Sequence, residues 1–599
     1  MKPTLIGLVL ASGLLAGGTA LAAAAPPVSA AGARPNIVVL VADDWGFTDV
    51  GAFGGEISTP NLDELARRGV RFSNFHVAAS CSPTRSMLLT GVDNHRNGHG
   101  NLRETMPGVH LGQPGYQATL TPNVVTVATL LQAAGYRTSV AGKWNVGNEP
   151  RNLPNQRGFD RSFVMGDTGS DNWEPEKRYL PHVARVNWFE DGKAPVLPKQ
   201  FYSSTFFVDK TIDYLRAGAA TGKPFFAYVG FQANHVPVQA PPAFIDKYKG
   251  RYDGGWSALR EARRAKAAEL GLVPKDTAMV TMGTTLDWAA LGTQEKRYQA
   301  RLMEVYAAMA DAMDHEVGRL IAHLKSTGEF ENTVFVFLSD NGPEGSDYKE
   351  ADVWLRFNDY SRDINRLGGP GAYVVPGPSW SSASASPLST FKFYAGEGGI
   401  RSPLIISGAV GAAANQIHAG LAHVTDIVPT LLDLAQVQRP GSTYQGQSIE
   451  ALIGRSLLPV LANPGARVRG PDDALGYELA GNKALFKGDL KLVLNNPPVG
   501  DGQWHLYDLR ADPGETKDLQ KALPVRFAAL QAEYAAWAKA NGVLPMPEGY
   551  NPVKQVLINS VVNYWFPTYW PHAVAALLVL LGVPVLLVVR ARRRRSAAR

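Results

Sequence analysis

The sequence predicts an α/β protein: a large, mostly parallel sheet sandwiched by helices, a smaller C-terminal antiparallel sheet with one helix, and then a C-terminal transmembrane helix. Three observations lead there. Apolar runs that read as strands buried on both faces alternate with helical stretches through most of the chain. Shorter strand-like runs separated by turns follow residue 470. A charge-free apolar stretch, Ala573 to Val589, stands near the C-terminus, preceded by Trp565, Tyr569 and Trp570 and followed by arginines.

In chain order, Lys2, an apolar run and a small-residue stretch have the layout of a cleavable secretory signal over residues 1–24, so folding is expected to start near Arg34. NIVVLVADD is the first buried strand and ends in Asp43 and Asp44. TPNLDELARRG follows as a helix, with Thr59 as cap and Pro60 at its first position. YRTSVAGKW, PFFAYVGFQANH and TVFVFLSDNG are three further strands, ending at Lys143, at His235, and at Asp340 and Asn341. In a mostly parallel sheet, ligands bind beyond the carboxyl ends of the strands, where these polar residues stand.

Residues 235–295 read as an insertion, with a basic helical run around Arg260 expected to be a solvated face. Residues 358–387, rich in Gly, Pro and Ser, read as an irregular rim. The expected organisation is a catalytic region over 35–470, a small α+β subdomain over 471–545, a linker over 546–571, a membrane helix over 572–589 and a basic cytoplasmic tail over 590–599, with a clipped sorting signal or a buried C-terminal helix as the alternatives for the apolar stretch.

Hydrophobic residues make up 45% and charged residues 19%, which excludes a disordered or fibrous chain. The net charge of +6 equals the six arginines of the terminal RARRRRSAAR, so the rest of the chain is neutral and nucleic acid is not expected as a partner. With one cysteine, Cys81, no intramolecular disulfide can form.

Cys81 opens Cys81-Ser82-Pro83-Thr84-Arg85, followed by SMLLTG. Ser82 suits a helix cap and Pro83 a first turn, which puts Cys81 at a positive helix N-terminus that favours an anion. Arg85 can add a charge-assisted hydrogen bond.

Taken with VADDWGFTDVGAFGGEISTPNLDELARRGVRFSNFH, this motif resembles the sulfatases of the alkaline-phosphatase superfamily, closest to bacterial aryl and alkyl sulfatases, from about Pro35 to Leu519. The resemblance implies an alkaline-phosphatase-like fold and hydrolysis of an aryl or alkyl sulfate ester. It implies that Cys81 is oxidised to formylglycine by a modifying enzyme, and that the hydrated aldehyde attacks sulfur through oxygen. By the same resemblance Asp43, Asp44, Asp340, Asn341 and the modified Cys81 hold a metal. Oxygen ligands without imidazole suit calcium, with magnesium second. Lys143, His235, Lys392 and Arg85 match the family's sulfate-binding and proton-donating residues.

One position departs from the pattern. Asn145 stands where the family usually has histidine, and it cannot act as a base at neutral pH. His76 or His95 is then the candidate replacement, or sulfate release is slow. Two rival readings use the same residues: a phosphodiester or phosphonate monoester hydrolase, and a non-catalytic binder of sulfated ligands. Trp173 and Trp380 are candidates to line the leaving-group pocket, with core packing as the equal alternative.

Overall fold

The computed structural model describes residues 34–598 apart from 181–182, 348–354, 356–357 and 412–413, so the signal expected over 1–24 lies outside it. Ten strands form the central sheet: β1 (Asn36–Ala42), β2 (Val70–His76), β3 (Arg137–Lys143), β4 (Arg161–Met165), β5 (Trp188–Glu190), β6 (Phe225–Gly230), β7 (Thr333–Ser339), β8 (Arg401–Gly408), β9 (Gln416–His418) and β10 (Ala422–His423). Their order is β10-β2-β8-β7-β1-β6-β3-β4-β5, with β9 beside β2. Most neighbours run parallel; β8 opposes β2 and β7, and β5 opposes β4.

β1 lies in the middle, between β6 and β7, and all of its residues are buried. Its β-branched side chains alternate across the sheet, as strand geometry requires. Val38, Leu40 and Ala42 join a core with Leu62, Phe207 and Met309, from helices Pro60–Arg68, Ser203–Gly218 and Thr293–Ser326. Ile37, Val39 and Val41 join a second core with Leu88, Leu131 and Leu431, from helices Cys81–Thr90, Val127–Ala133 and Ile427–Leu434. Each such burial stabilises by roughly 1.5–3 kcal/mol relative to exposure. The sheet is therefore a stiff floor, and its strand ends are fixed points.

β11 (Thr443–Tyr444) and β12 (Gln447–Ser448) form a short ribbon. Beyond it β13 (Ala474–Leu479), β14 (Asn482–Lys487), β15 (Leu490–Leu494) and β16 (Trp504–Asp508) make the expected antiparallel sheet. One face, through Tyr477, Ala484, Phe486 and Val493, joins the second core. The other, through Leu485, Leu492 and Leu506, packs on Leu530 and Tyr534 of helix Pro524–Asn541.

Helix Pro552–Ser560 runs through a π turn, Val561–Trp565, into Phe566–Ala597. Among the described residues this is the one helix long and apolar enough to cross a membrane. It extends well beyond the expected 572–589 at both ends.

Two expectations are corrected. The basic run is not simply a solvated face: in helix Gly255–Glu269, Arg263 is buried on Asp49 and Glu56, and Arg260 is buried on the Val280 carbonyl. The rim segment contains a buried helix, Gly377–Ser384, whose Trp380 packs on Trp256 and Trp288 as core and so lines no pocket. Trp173 is half-buried and bonded to the Gly368 carbonyl.

Candidate active site

The strand ends bring the predicted residues together. β1 delivers Asp43 and Asp44, β7 delivers Asp340 and Asn341, β3 ends on Lys143, and His235 follows β6. Cys81 is the first residue of helix Cys81–Thr90, directly beyond the loop that leaves β2. The cap is Ser80, with extended backbone, and not Ser82 as the motif suggested. Thr84 explains the difference, because its hydroxyl reaches back to the N–H and carbonyl of Ala78 and closes the turn before the helix. Cys81 still sits at the positive helix end.

All these groups are buried. The Cys81 thiol donates to Asp43 Oδ1 at 3.2 Å and lies 4.0 Å from Asp44 Oδ1. Lys143 Nζ is 2.6 Å from Asp43 Oδ2. Arg85 Nε donates to Asp340 Oδ2 at 2.7 Å, and its Nη1 donates to the Lys143 carbonyl at 2.9 Å, so one guanidinium braces two strand ends. Lys392 Nζ lies 2.8 Å from Asp44 Oδ1 and 3.2 Å from Glu344. His235 Nε2 is 3.9 Å from Asp44 Oδ2. Its Nδ1 is 2.8 Å from the Val236 carbonyl and 3.1 Å from the Tyr179 hydroxyl. A carbonyl can only accept, so Nδ1 carries the hydrogen and Nε2 offers a lone pair.

Electrostatics follow from this crowding. Burial pushes Asp44 up to about 7; Lys392 opposes the rise, and Asp43 and Glu344 reinforce it. Burial acts the same way on Asp43, but the Lys143 and Arg85 cations outweigh it and hold that carboxyl below the usual range. Burial, Asp340 and Asp43 push the Cys81 thiol well up. Burial, Lys143 and Lys392 push His235 well below its ordinary value, leaving it neutral. Lys392 stays an ammonium, because Asp44 and Glu344 overcome its burial.

The carboxylate and amide oxygens of Asp43, Asp44, Asp340 and Asn341 fit a hard cation, beside a thiol and an imidazole that do not. Asp43, Asp44, Cys81 and His235 present ligand atoms all within 4.8 Å of one another. Asn341 donates its amide to Asp44 Oδ1 and the Gly342 carbonyl, while its own buried Oδ1 has no hydrogen-bond partner. An oxygen buried without a donor beside three carboxylates is a place for a positive ion.

Asn145 follows the end of β3 by two residues, and His76 and His95 stand in other networks. Asn145 is half-buried in the left-handed region, at φ 57°. His76 is bound to Glu397, and His95 lies between Asp93 and Glu478 and is pushed up to about 9, so neither replaces the missing base. Glu344, Tyr179 and Tyr306 went unmarked in the sequence. Glu344 could have been found in SDNGPEG, beside the ligand motif. Tyr306, whose hydroxyl is 3.0 Å from the Asp44 carbonyl and 2.7 Å from Asp49, lies mid-helix and gives no local signal.

Comparison with known proteins adds three findings. The family model described as Sulfatase matches residues 35–437. The chain is 38% identical over 533 residues to an uncharacterized sulfatase of Schizosaccharomyces pombe, covering 86% of this chain and 96% of that one. It is 34% identical over 453 residues to the arylsulfatase of Klebsiella aerogenes, covering 73% and 96%. Among solved structures, Ps i-CgsB in complex with k-i-k-neocarrahexaose shares the fold at TM-score 0.60 and 20% identity, over 90% of this chain and 100% of that one.

Proposed function

The chain belongs to the sulfatase family and is a sulfuric ester hydrolase, and from that premise we propose how its buried charges divide the work of cleaving aryl and alkyl sulfate esters. Asp43, Asp44, Asp340 and Asn341, with residue 81, hold a divalent cation, calcium ahead of magnesium. When bound, that ion would withdraw charge from the sulfate oxygens and from a hydroxyl at residue 81. Cys81 is the precursor of formylglycine, made by a dedicated modifying enzyme, and its hydrated aldehyde supplies an oxygen nucleophile. The raised thiol supports this reading, because an unmodified Cys81 stays protonated and unreactive.

Lys143 and Arg85 are pinned by Asp43 and Asp340, so they meet the sulfate oxygens without reorganising. Lys392 keeps its proton and offers it to the departing alcohol oxygen. His235, neutral and with the Nε2 lone pair toward the site, accepts a hydrogen bond from a hydroxyl at residue 81 and holds that group in place. The catalytic region spans 35–470 and the small subdomain 471–545. The protein is exported and held in the cytoplasmic membrane by its C-terminal helix, with the arginine tail inside. Small and carbohydrate sulfate esters are both candidate substrates; the relative solved with neocarrahexaose supports testing the second class.

The observation that carries this reading is the unpartnered Asn341 oxygen among three carboxylates beside Cys81. Mass analysis of the tryptic peptide Phe72–Arg85, from protein made in its own host, is expected to find the aldehyde, and calorimetry to find tight calcium binding. A thiol-only peptide from fully active enzyme would overturn it.

A further inference from the structure

The segment that enters the membrane helix is bolted to the body before it leaves it. Asn559, 9% exposed, points its side-chain amide at the carbonyls of Arg103, Glu104 and Met106, at 3.3, 2.9 and 3.0 Å. Upstream, the Tyr550 hydroxyl donates to the Thr105 carbonyl at 2.8 Å, and His110 Nε2 lies 3.0 Å from the Pro545 carbonyl. A mere tether would leave such groups to water.

The same segment reaches the active site. Tyr564 is also 9% exposed; the Arg178 guanidinium lies 4.9 Å from its ring centre and donates to its hydroxyl. The next residue, Tyr179, is buried, and its hydroxyl is 3.1 Å from Nδ1 of His235. From the base of the membrane helix to the site's imidazole is therefore two side-chain contacts and one peptide step. The segment that backs His235 thus touches the anchor at Tyr564, while Asn559 and Tyr550 seat the anchor on a second loop, at residues 103–106.

Apolar side chains crowd that region. Leu557, Ile558 and Val562 of the anchor segment are 60%, 51% and 59% exposed, and Phe566 is 66% exposed. On the body loop gripped by Asn559 and Tyr550, Val109 and Leu111 are 69% and 50% exposed. Further along the same helical segment Tyr569 and Trp570 are 52% and 50% exposed, and a lipid surface is the partner that covers such groups.

We infer that the mouth of the site is held against the bilayer, and that its substrate is the sulfate ester of an amphiphile whose apolar part stays in the lipid. This rests on the sulfatase and membrane-anchor readings above and deepens them. An enzyme so seated meets a bilayer-borne ester at high local concentration, whereas a freely swinging one loses that advantage.

The test uses the full chain in phosphatidylcholine vesicles, with soluble para-nitrophenyl sulfate and with hexadecyl sulfate carried in the same vesicles. Asn559→Ala and, separately, Tyr550→Phe, which removes the hydrogen bond to the Thr105 carbonyl, are expected to lower the rate on hexadecyl sulfate about tenfold while changing that on the soluble ester less than about twofold. Equal loss on both substrates, or no loss on either, overturns the inference. So does a wild-type enzyme that cleaves the soluble ester but not the vesicle-borne one. Failure of the wild type on both sinks the sulfatase reading, and failure to float with vesicles sinks the anchor; either takes this inference with it.

Discussion

The molecule buries two dense clusters of charge, and they resolve in opposite ways. At the strand ends, Asp44 is driven up to about 7 by burial, and the Asn341 oxygen has no donor. At the junction with the small sheet, Glu397 is equally buried, yet Lys491 at 2.8 Å, His76 at 3.1 Å and Arg401 at 3.4 Å take its oxygens. Burial alone would raise Glu397; Lys491, His76 and Arg401 outweigh it and hold the carboxyl below its usual range. Lys491 also pairs with Glu515 at 2.8 Å. In the second cluster each charge has an opposite charge beside it, although the buried His76 Nδ1 accepts no donor and burial still pushes Glu515 up. The first stays under tension that only an outside partner relieves, and this separates a site from a structural network.

The widest separation is expected from Asp44→Asn. Removing a ligand should lower kcat on an aryl sulfate on the order of a thousandfold, the scale of a lost electrostatic stabiliser. Calorimetry should find calcium affinity gone. Without calcium the thermal midpoint should hold or rise, because a carboxylate disfavoured by its burial has been neutralised. A lower midpoint with calcium binding intact would erase the contrast.

Lys491→Met makes the converse case. It strands Glu397 and Glu515 in the interior, and breaking such a buried pair costs about 3–5 kcal/mol. Urea unfolding should record that loss while calcium affinity stays at the wild-type value. Weakened calcium binding would mean that the junction belongs to the site.

His95 offers a pH-dependent version. Burial disfavours its charge, but Asp93 at 3.1 Å and Glu478 at 2.9 Å raise it from 6.5 to about 9. A raised imidazole stabilises fully below the unfolded value of 6.5, and that contribution fades as pH climbs to about 9. The upper bound is about 3 kcal/mol. His95→Gln should therefore flatten the fall in unfolding free energy between those pH values, and an unchanged slope would remove His95 from the matched class.

The legibility of these regions in the sequence differs for a physical reason. A strand buried on both faces and stopped by Asp, Lys or Asn announces both its burial and its end, so Asp43, Asp44, Lys143, Asp340 and Asn341 could be read from local runs. The Glu397–Lys491 pair spans 94 positions and leaves no local trace. Arg263 is likewise one arginine among several until the fold turns it onto Asp49. The cap at Ser80 depended on a hydroxyl bridge from Thr84 to Ala78, which spacing alone does not predict.

The smallest expected effect tests the one position where the site departs from its family. Asn145 follows Lys143 closely, and its backbone is left-handed at φ 57°, a region that Asn, Asp and His enter more readily than other side chains. Histidine can therefore be restored there without new strain. Asn145 offers an amide that cannot take up a proton at neutral pH, and His76 and His95 are committed to carboxylates elsewhere. Sulfate should then leave more slowly than alcohol, so rapid mixing with para-nitrophenyl sulfate should show a burst of phenol before the steady rate. Asn145→His should abolish the burst and raise turnover at least about tenfold, the low end of what a positioned base contributes. A trace that is linear from the first turnover in the wild-type enzyme would show that a group outside the inherited pattern already removes that proton.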